Sequence, residues 1–188
     1  MKLFLHINII TLLCGLTNGV GFRVKDGPLV PSYSCPPSSG ISRNDTVGEF
    51  FTLSRQFDGP LNLIRIEVPT NLVEFNCGFV NRNVTEGGFL FPWNDAGTRS
   101  FYFRSIPFNS ELVLMDKFKT ITGIQNSTAF SLPVFNAPPT LQYALLVQAG
   151  IANRLGLSIG DPLQVTLPSN TFFGTGQTAG DDHIAMHT

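Results

Sequence analysis

Histidine is scarce in this chain and badly placed for catalysis. Of the three, His6 falls in the N-terminal apolar run and His183 and His187 lie near the other end, so residues 50–168 contain none. A Ser-His-acid or Cys-His arrangement would have to recruit the last residues of the chain, and a His-rich zinc site in the interior is excluded. Charge is also sparse: 13% of residues are charged, the formal net charge is −1, and no run of Lys or Arg occurs. A nucleic-acid partner held on a basic face is therefore not expected. Cys-x-x-Cys, Gly-x-Gly-x-x-Gly and phosphate-loop patterns are missing, so no cofactor is expected. Asp181-Asp182-His183 with His187 reads as a solvated polar tail in preference to a loose metal site, and no metal is expected.

Long apolar runs are absent apart from one. Lys2 precedes the stretch Leu3 to Leu16, and the small or turn-forming residues Thr17, Asn18, Gly19 and Gly21 follow it. This reads as a signal peptide over residues 1–19, with cleavage after Gly19 or Gly21. The run is shorter than the ~20 apolar residues that a membrane span needs. A buried N-terminal strand or helix is the alternative, which the charged and small-residue flanks disfavour. With no second run, the mature chain is expected to be soluble, secreted and extracellular, without membrane insertion.

Two further features suit that compartment. Asn44-Asp-Thr46, Asn83-Val-Thr85 and Asn126-Ser-Thr128 are N-glycosylation acceptor sequences, so Asn44, Asn83 and Asn126 are expected on exposed loops or strand ends. Of three cysteines, Cys14 lies in the signal peptide, leaving Cys35 and Cys77. In an oxidising compartment these form one bridge, and otherwise they are two unpaired buried thiols.

Composition divides the remainder. Residues 20–49 are a Pro-, Ser- and Gly-rich leader, as in Cys35-Pro36-Pro37-Ser38-Ser39-Gly40. Residues 50–168 are strand-like. Leu61-Asn-Leu-Ile-Arg-Ile-Glu-Val68 alternates, Gly88-Phe-Leu-Phe91 and Glu111-Leu-Val-Leu-Met-Asp116 are short apolar runs, and Ser100-Phe-Tyr-Phe-Arg104 is aromatic. Ile151 and Leu155, four apart and followed by Gly156, predict a short helix over 149–155. A last strand follows the Gly160-Asp161 turn, and residues 169–188 read as a mobile tail. The expected fold is mainly β, a small barrel or sandwich with one short helix near the C-terminal end of the domain. Sixteen Phe outside the signal peptide supply its core.

The candidate acids and bases are Glu86, Asp95, Glu111, Asp116 and Asp161, with no spacing that pairs two of them on one element. Asp161, between Gly160 and Pro162, suits a turn. Alternation along the aromatic strand sends Phe101 and Phe103 one way and Tyr102 and Arg104 the other. Arg99, Tyr102, Arg104 and Glu111 are the ligand-binding candidates, a polar rim for a ligand carrying oxygens, to be weighed against ordinary surface charges.

The middle of the chain resembles a known family. Gly78-Phe-Val-Asn-Arg82, Gly88-Phe-Leu-Phe-Pro92, Arg99-Ser-Phe-Tyr-Phe-Arg104 through Asp116, Tyr143-Ala-Leu, Ala149-Gly150 and Gly156-Leu-Ser-Ile-Gly-Asp161 follow the order of domain-of-unknown-function family 192, over about residues 65–167. The resemblance implies a mainly β domain with a short late helix, often exported, without an established activity. Where that family usually reads Phe-Trp-Met and Lys-Asn-Thr, this chain has Phe101-Tyr102-Phe103 and Arg104-Ser105-Ile106. Phe108-Asn109-Ser110-Glu111 replaces Ile-Pro-Leu-Asp, and Leu146 stands where Glu is frequent. The shape of any family pocket is thus better kept than its chemistry.

These readings together point to a secreted glycoprotein acting as a binding or extracellular matrix component, mineralised matrices included. Its expected partner is a matrix polymer, a mineral or a small ligand. The alternative is a carbohydrate- or small-ligand-active enzyme using Glu111 with Asp116 or Asp95.

Overall fold

The computed structural model describes residue 35 and residues 44–50, 62–80, 82, 87–175 and 183–184. The expected signal peptide, most of the leader, Asn83, Glu86, Asp181, Asp182 and His187 lie outside the described residues. Ten strands and two short helices follow in the order β1 (Asn44–Phe50), β2 (Asn62–Val68), α1 (Leu72–Cys77), β3 (Gly88–Pro92), β4 (Ser100–Phe103), β5 (Ser110–Met115), β6 (Ile121–Ser127), β7 (Ser131–Asn136), β8 (Tyr143–Gln148), α2 (Ile151–Arg154), β9 (Leu163–Val165) and β10 (His183–Ile184).

Seven strands form one sheet in the order β6-β5-β8-β3-β2-β1-β9, and β10-β4-β7 form a second. The two pack as a sandwich, and the large sheet does not close into a barrel. Between the sheets lie Phe89, Phe91, Leu112, Leu114 and Leu146 of the large sheet against Phe101 and Phe103 of the small one, with Phe75 of α1 joining them. The other face of the large sheet carries Leu90, Val113, Met115, Leu145, Val147 and Leu163 of β9, with Ile151 of α2 in the same cluster. The central strands β3 and β5 are buried along their whole length. Strands covered on both faces read as continuous apolar runs, whereas β2, with Leu63 and Arg65 exposed and Ile64 and Ile66 buried, keeps the alternation its sequence predicts.

Rings dominate the space between the sheets. Phe75 meets Phe91 and Trp93 edge-on at 5.7 and 5.4 Å, and Trp93 meets Phe101 edge-on at 6.0 Å. Edge-to-face packing puts the positive rim of one ring on the negative face of the next, adding about 0.5–1.5 kcal/mol per pair beyond area burial. Gly78 makes room for this cluster. Its φ is +46°, and a Cβ there would stand 2.8 Å from the tip of the Phe91 ring.

Three boundaries differ from the sequence reading. A second helix, α1, precedes the expected one. Asn71 Oδ1 accepts from the Glu74 backbone N–H at 3.0 Å, while the Glu74 carboxylate accepts from the Thr70 backbone N–H at 2.7 Å. This reciprocal cap stabilises a helix too short to be periodic. β1 begins at Asn44, inside the stretch assigned to the leader, because β2 and β9 pair with it on both sides. The chain also stays on the core beyond residue 168: Phe172 packs on Phe75 at 5.7 Å, and the Gly174 backbone donates to Pro92 and accepts from Asn94. A Cβ at Gly174 would meet the Phe75 and Trp93 rings at 2.6 and 2.7 Å, so the close approach requires glycine.

Candidate functional site

The four rim candidates do not converge. Arg99, only 3% exposed, leads into β4 with its guanidinium over the Trp93 ring at 5.4 Å. It donates to the Thr98 carbonyl at 3.1 Å and to Asp95 Oδ1 at 3.1 Å, and its Nε meets no acceptor among the described residues. Arg99 is therefore a buried clamp on the loop that carries Trp93.

Glu111 is 8% exposed and faces elsewhere. Its carboxylate accepts from the Gly150 N–H and the Ala152 N–H, each at 2.8 Å. Gly150 is the N-cap of α2, sits at φ +92° and has no cap of its own. A glutamate from β5 therefore caps a helix about forty residues later in the chain, supplying the acceptor that free helical N–H groups need. Alternation puts Glu111 on the same face as Val113 and Met115, and the hydrogen-bonded large sheet stands between it and β4.

Tyr102 and Arg104 point away from the core, as alternation predicts, with Tyr102 half-buried and Arg104 exposed. Burial raises the Tyr102 phenol above its ordinary value of about 10, and burial raises Tyr143 likewise. The folded state thus holds these protons more tightly than the unfolded chain does. The associated stability is complete below the unfolded value and is lost as pH rises through the folded one. Titration of absorbance near 295 nm should show both phenols ionising late. Tyr102→Phe and Tyr143→Phe should each remove one late step, and an early step lost instead would contradict the assignment.

Asp116, Asp161 and Asp95 are also engaged in local structure. Asp116 Oδ1 accepts from the Phe118 and Thr120 N–H groups at 2.9 and 3.0 Å, tying the β5–β6 turn. Asp161, 0% exposed, accepts from the Ser158 N–H at 2.8 Å, the turn role its neighbours suggest. Asp95 pairs with Arg99. Glu111 and Asp116 sit at opposite ends of β5, so five strand steps of ~3.3 Å separate them by roughly 16 Å. A carboxylate pair for glycoside chemistry needs about 5–9.5 Å. The described residues also hold no group of three His, Cys, Asp or Glu side chains placed to share a metal ion.

Two surface features went unseen in the sequence. One is an open groove of about 320 Å³ between β6 and β7, with Gln125, Asn126, Ser127 and Ser131 on its polar wall and Phe103, Val134 and Phe135 on its apolar one. The other is a tip where the turn after β5 meets the loop before β9. There Phe118 is 72% and Ile159 70% exposed, on backbone stitched by Leu163 N–H to Lys119 O and Gly160 N–H to Ile121 O. A phenylalanine between two lysines in a turn was the available signal for the tip. The groove had none, because its walls come from different sheets.

Two polar positions of the resemblance are buried and apolar here. Ile106 and Leu146, which replace Thr and Glu, are both 0% exposed and belong to the cluster between the sheets. Among solved structures, a protein from Sinorhizobium meliloti 1021, provisionally described as a transcription regulator, is similar at 20% identity with a TM-score of 0.60, covering 66% of this chain and 96% of its own. A protein of unknown function from Novosphingobium aromaticivorans DSM 12444 is similar at 20% identity with a TM-score of 0.56, covering 70% and 91%. At that identity the likeness concerns the fold. No curated protein matches the chain. The model of domain-of-unknown-function family 192, described as an uncharacterised ACR, matches residues 54–165, and the chain belongs to that family.

Proposed function

We propose that this protein is a secreted, N-glycosylated binding component of an extracellular matrix, mineralised matrices included, and performs no catalysis of its own. One observation speaks against the enzymatic alternative. The acidic groups that the enzymatic alternative would use, Glu111, Asp116 and Asp95, are each held by a backbone amide or by Arg99, on separate parts of the fold. The groove between β6 and β7 supplies the binding surface. Its amide and hydroxyl groups with apolar walls suit a neutral hydroxylated ligand, such as a polysaccharide chain, better than a bare mineral face.

Retention of the purified protein on chitin, cellulose and calcite tests this. We expect the wild type to be held on a polysaccharide, and Gln125→Ala and Val134→Asp each to reduce retention several-fold with the melting temperature unchanged. Arg104→Ala, at the exposed member of the expected rim, should leave stability within about 0.5 kcal/mol. Passage of the wild type through every support, or equal retention of both groove variants, would sink the proposal.

A further inference from the structure

Sheet edges are sites of unwanted pairing, and proteins guard them with short strands, proline or charge. Four strands lie at the edges of the two sheets, β6 and β9 in the large sheet and β10 and β7 in the small one. β9 has three residues and β10 two, and β7 contains Pro133. β6 is different: it has seven residues, Ile121–Ser127, with no charged residue and no proline. Its first residue is sealed, since Ile121 N–H donates to Asp161 O at 2.9 Å and Ile121 O accepts from Gly160 N–H at 2.8 Å. The bulge in its pairing with β5, between Leu114 and Met115, lies at that same end. From Thr122 to Ser127 the outer edge has no strand partner among the described residues.

The open half of β6 carries the acceptor sequence Asn126-Ser127-Thr128, and Asn126 is the exposed residue of the strand. We propose that the N-glycan on Asn126 is the edge guard of β6 and keeps this strand from adding to the sheet of a second copy. This rests on the secreted-glycoprotein reading above. A strand adding to β6 would place a side chain about 5 Å from the Asn126 Cβ. The first sugar occupies that space. Asn126 pairs with Glu111, whereas Gln125 pairs with Leu112. Alternation therefore turns the Asn126 side chain to the face opposite that of Gln125, while Asn126 and Thr128 also border the groove, so the glycan stands at the groove's rim.

The test uses the full chain secreted from a eukaryotic host, with occupancy of Asn126 first established by glycopeptide mapping. Asn126→Gln and Thr128→Ala remove the glycan by changing different residues, and Ser127→Ala retains the acceptor sequence. The melting temperature of each variant, measured first, separates a lost guard from a folding defect. Light scattering after size exclusion should find wild type and Ser127→Ala monomeric. The two glycan-free variants should self-associate at concentrations at least tenfold lower. Adding Gln125→Lys to Thr128→Ala should restore the monomer by placing a charge on the edge. Monomeric glycan-free variants alongside an occupied wild-type Asn126 would overturn the guard and leave the glycoprotein reading standing. Association that Gln125→Lys does not reverse would equally overturn it, as would a bare wild-type Asn126, and the glycoprotein reading falls only if Asn44 and Asn83 are bare as well.

Discussion

Removing the Cys35–Cys77 bridge lowers the unfolding free energy by about 4 kcal/mol, the cost of releasing a loop that joins residues 42 apart. The bridge is well placed for this effect. Its Cα atoms are 5.6 Å apart, within the range that a disulfide spans without backbone movement. Cys77 ends α1 and is buried, and Cys35 packs on the core between the sheets. Guanidinium unfolding of wild type with and without reductant, beside Cys35→Ser, measures the loss. The denaturant slope should rise together with the fall in midpoint, because the reduced unfolded chain exposes more surface. A shift below about 1 kcal/mol would leave the bridge without the constraining role that its loop length assigns to it.

Glu111→Ala should cost about 3 kcal/mol, because charge-assisted hydrogen bonds contribute roughly 1.5–3 kcal/mol each and two are lost. The two losses differ in kind. Gly150 is exposed, so water can replace the carboxylate there, whereas the bond to the Ala152 N–H is buried and that donor is left without a partner. Glu111→Gln keeps a carbonyl acceptor and should cost about half as much. Amide exchange offers a second measurement, with protection at Ala152 collapsing in Glu111→Ala while that of Leu145 in β8 falls only with global stability. If Glu111→Ala proved as stable as wild type, the cap would be incidental and the residue free for another task.

The parts of this fold legible in the sequence are those whose burial is one-sided or whose turns use special residues. β2 alternates, the Asp161 turn sits between Gly160 and Pro162, and Gly156 ends α2 at φ +63°. β1 was not legible. Its sequence, Asn-Asp-Thr-Val-Gly-Glu-Phe, has weak strand preference, and pairing on both flanks holds it in place. β8, buried from Tyr143 to Val147, reads as an apolar run from which period cannot separate strand from helix. Spacing also placed Arg99, Arg104 and Glu111 around one strand as a possible rim. The face on which each side chain emerges depends on which strands become neighbours, and that information is not local.

The order of strands in the large sheet also bears on how the chain reaches it. Gly48 pairs with Val165, and Gly88 with Val147, so the sheet is assembled from segments far apart in sequence, and its β1 edge stays open until the last strand, β9, is available. Closing such loops is paid for before the contacts reward it, which puts β-rich folds of this kind in the millisecond-to-second range of folding times. Until β9 docks, a growing chain exposes β1 as well as β6, and the interval between making one strand and its partner is when this protein is most vulnerable to its own copies.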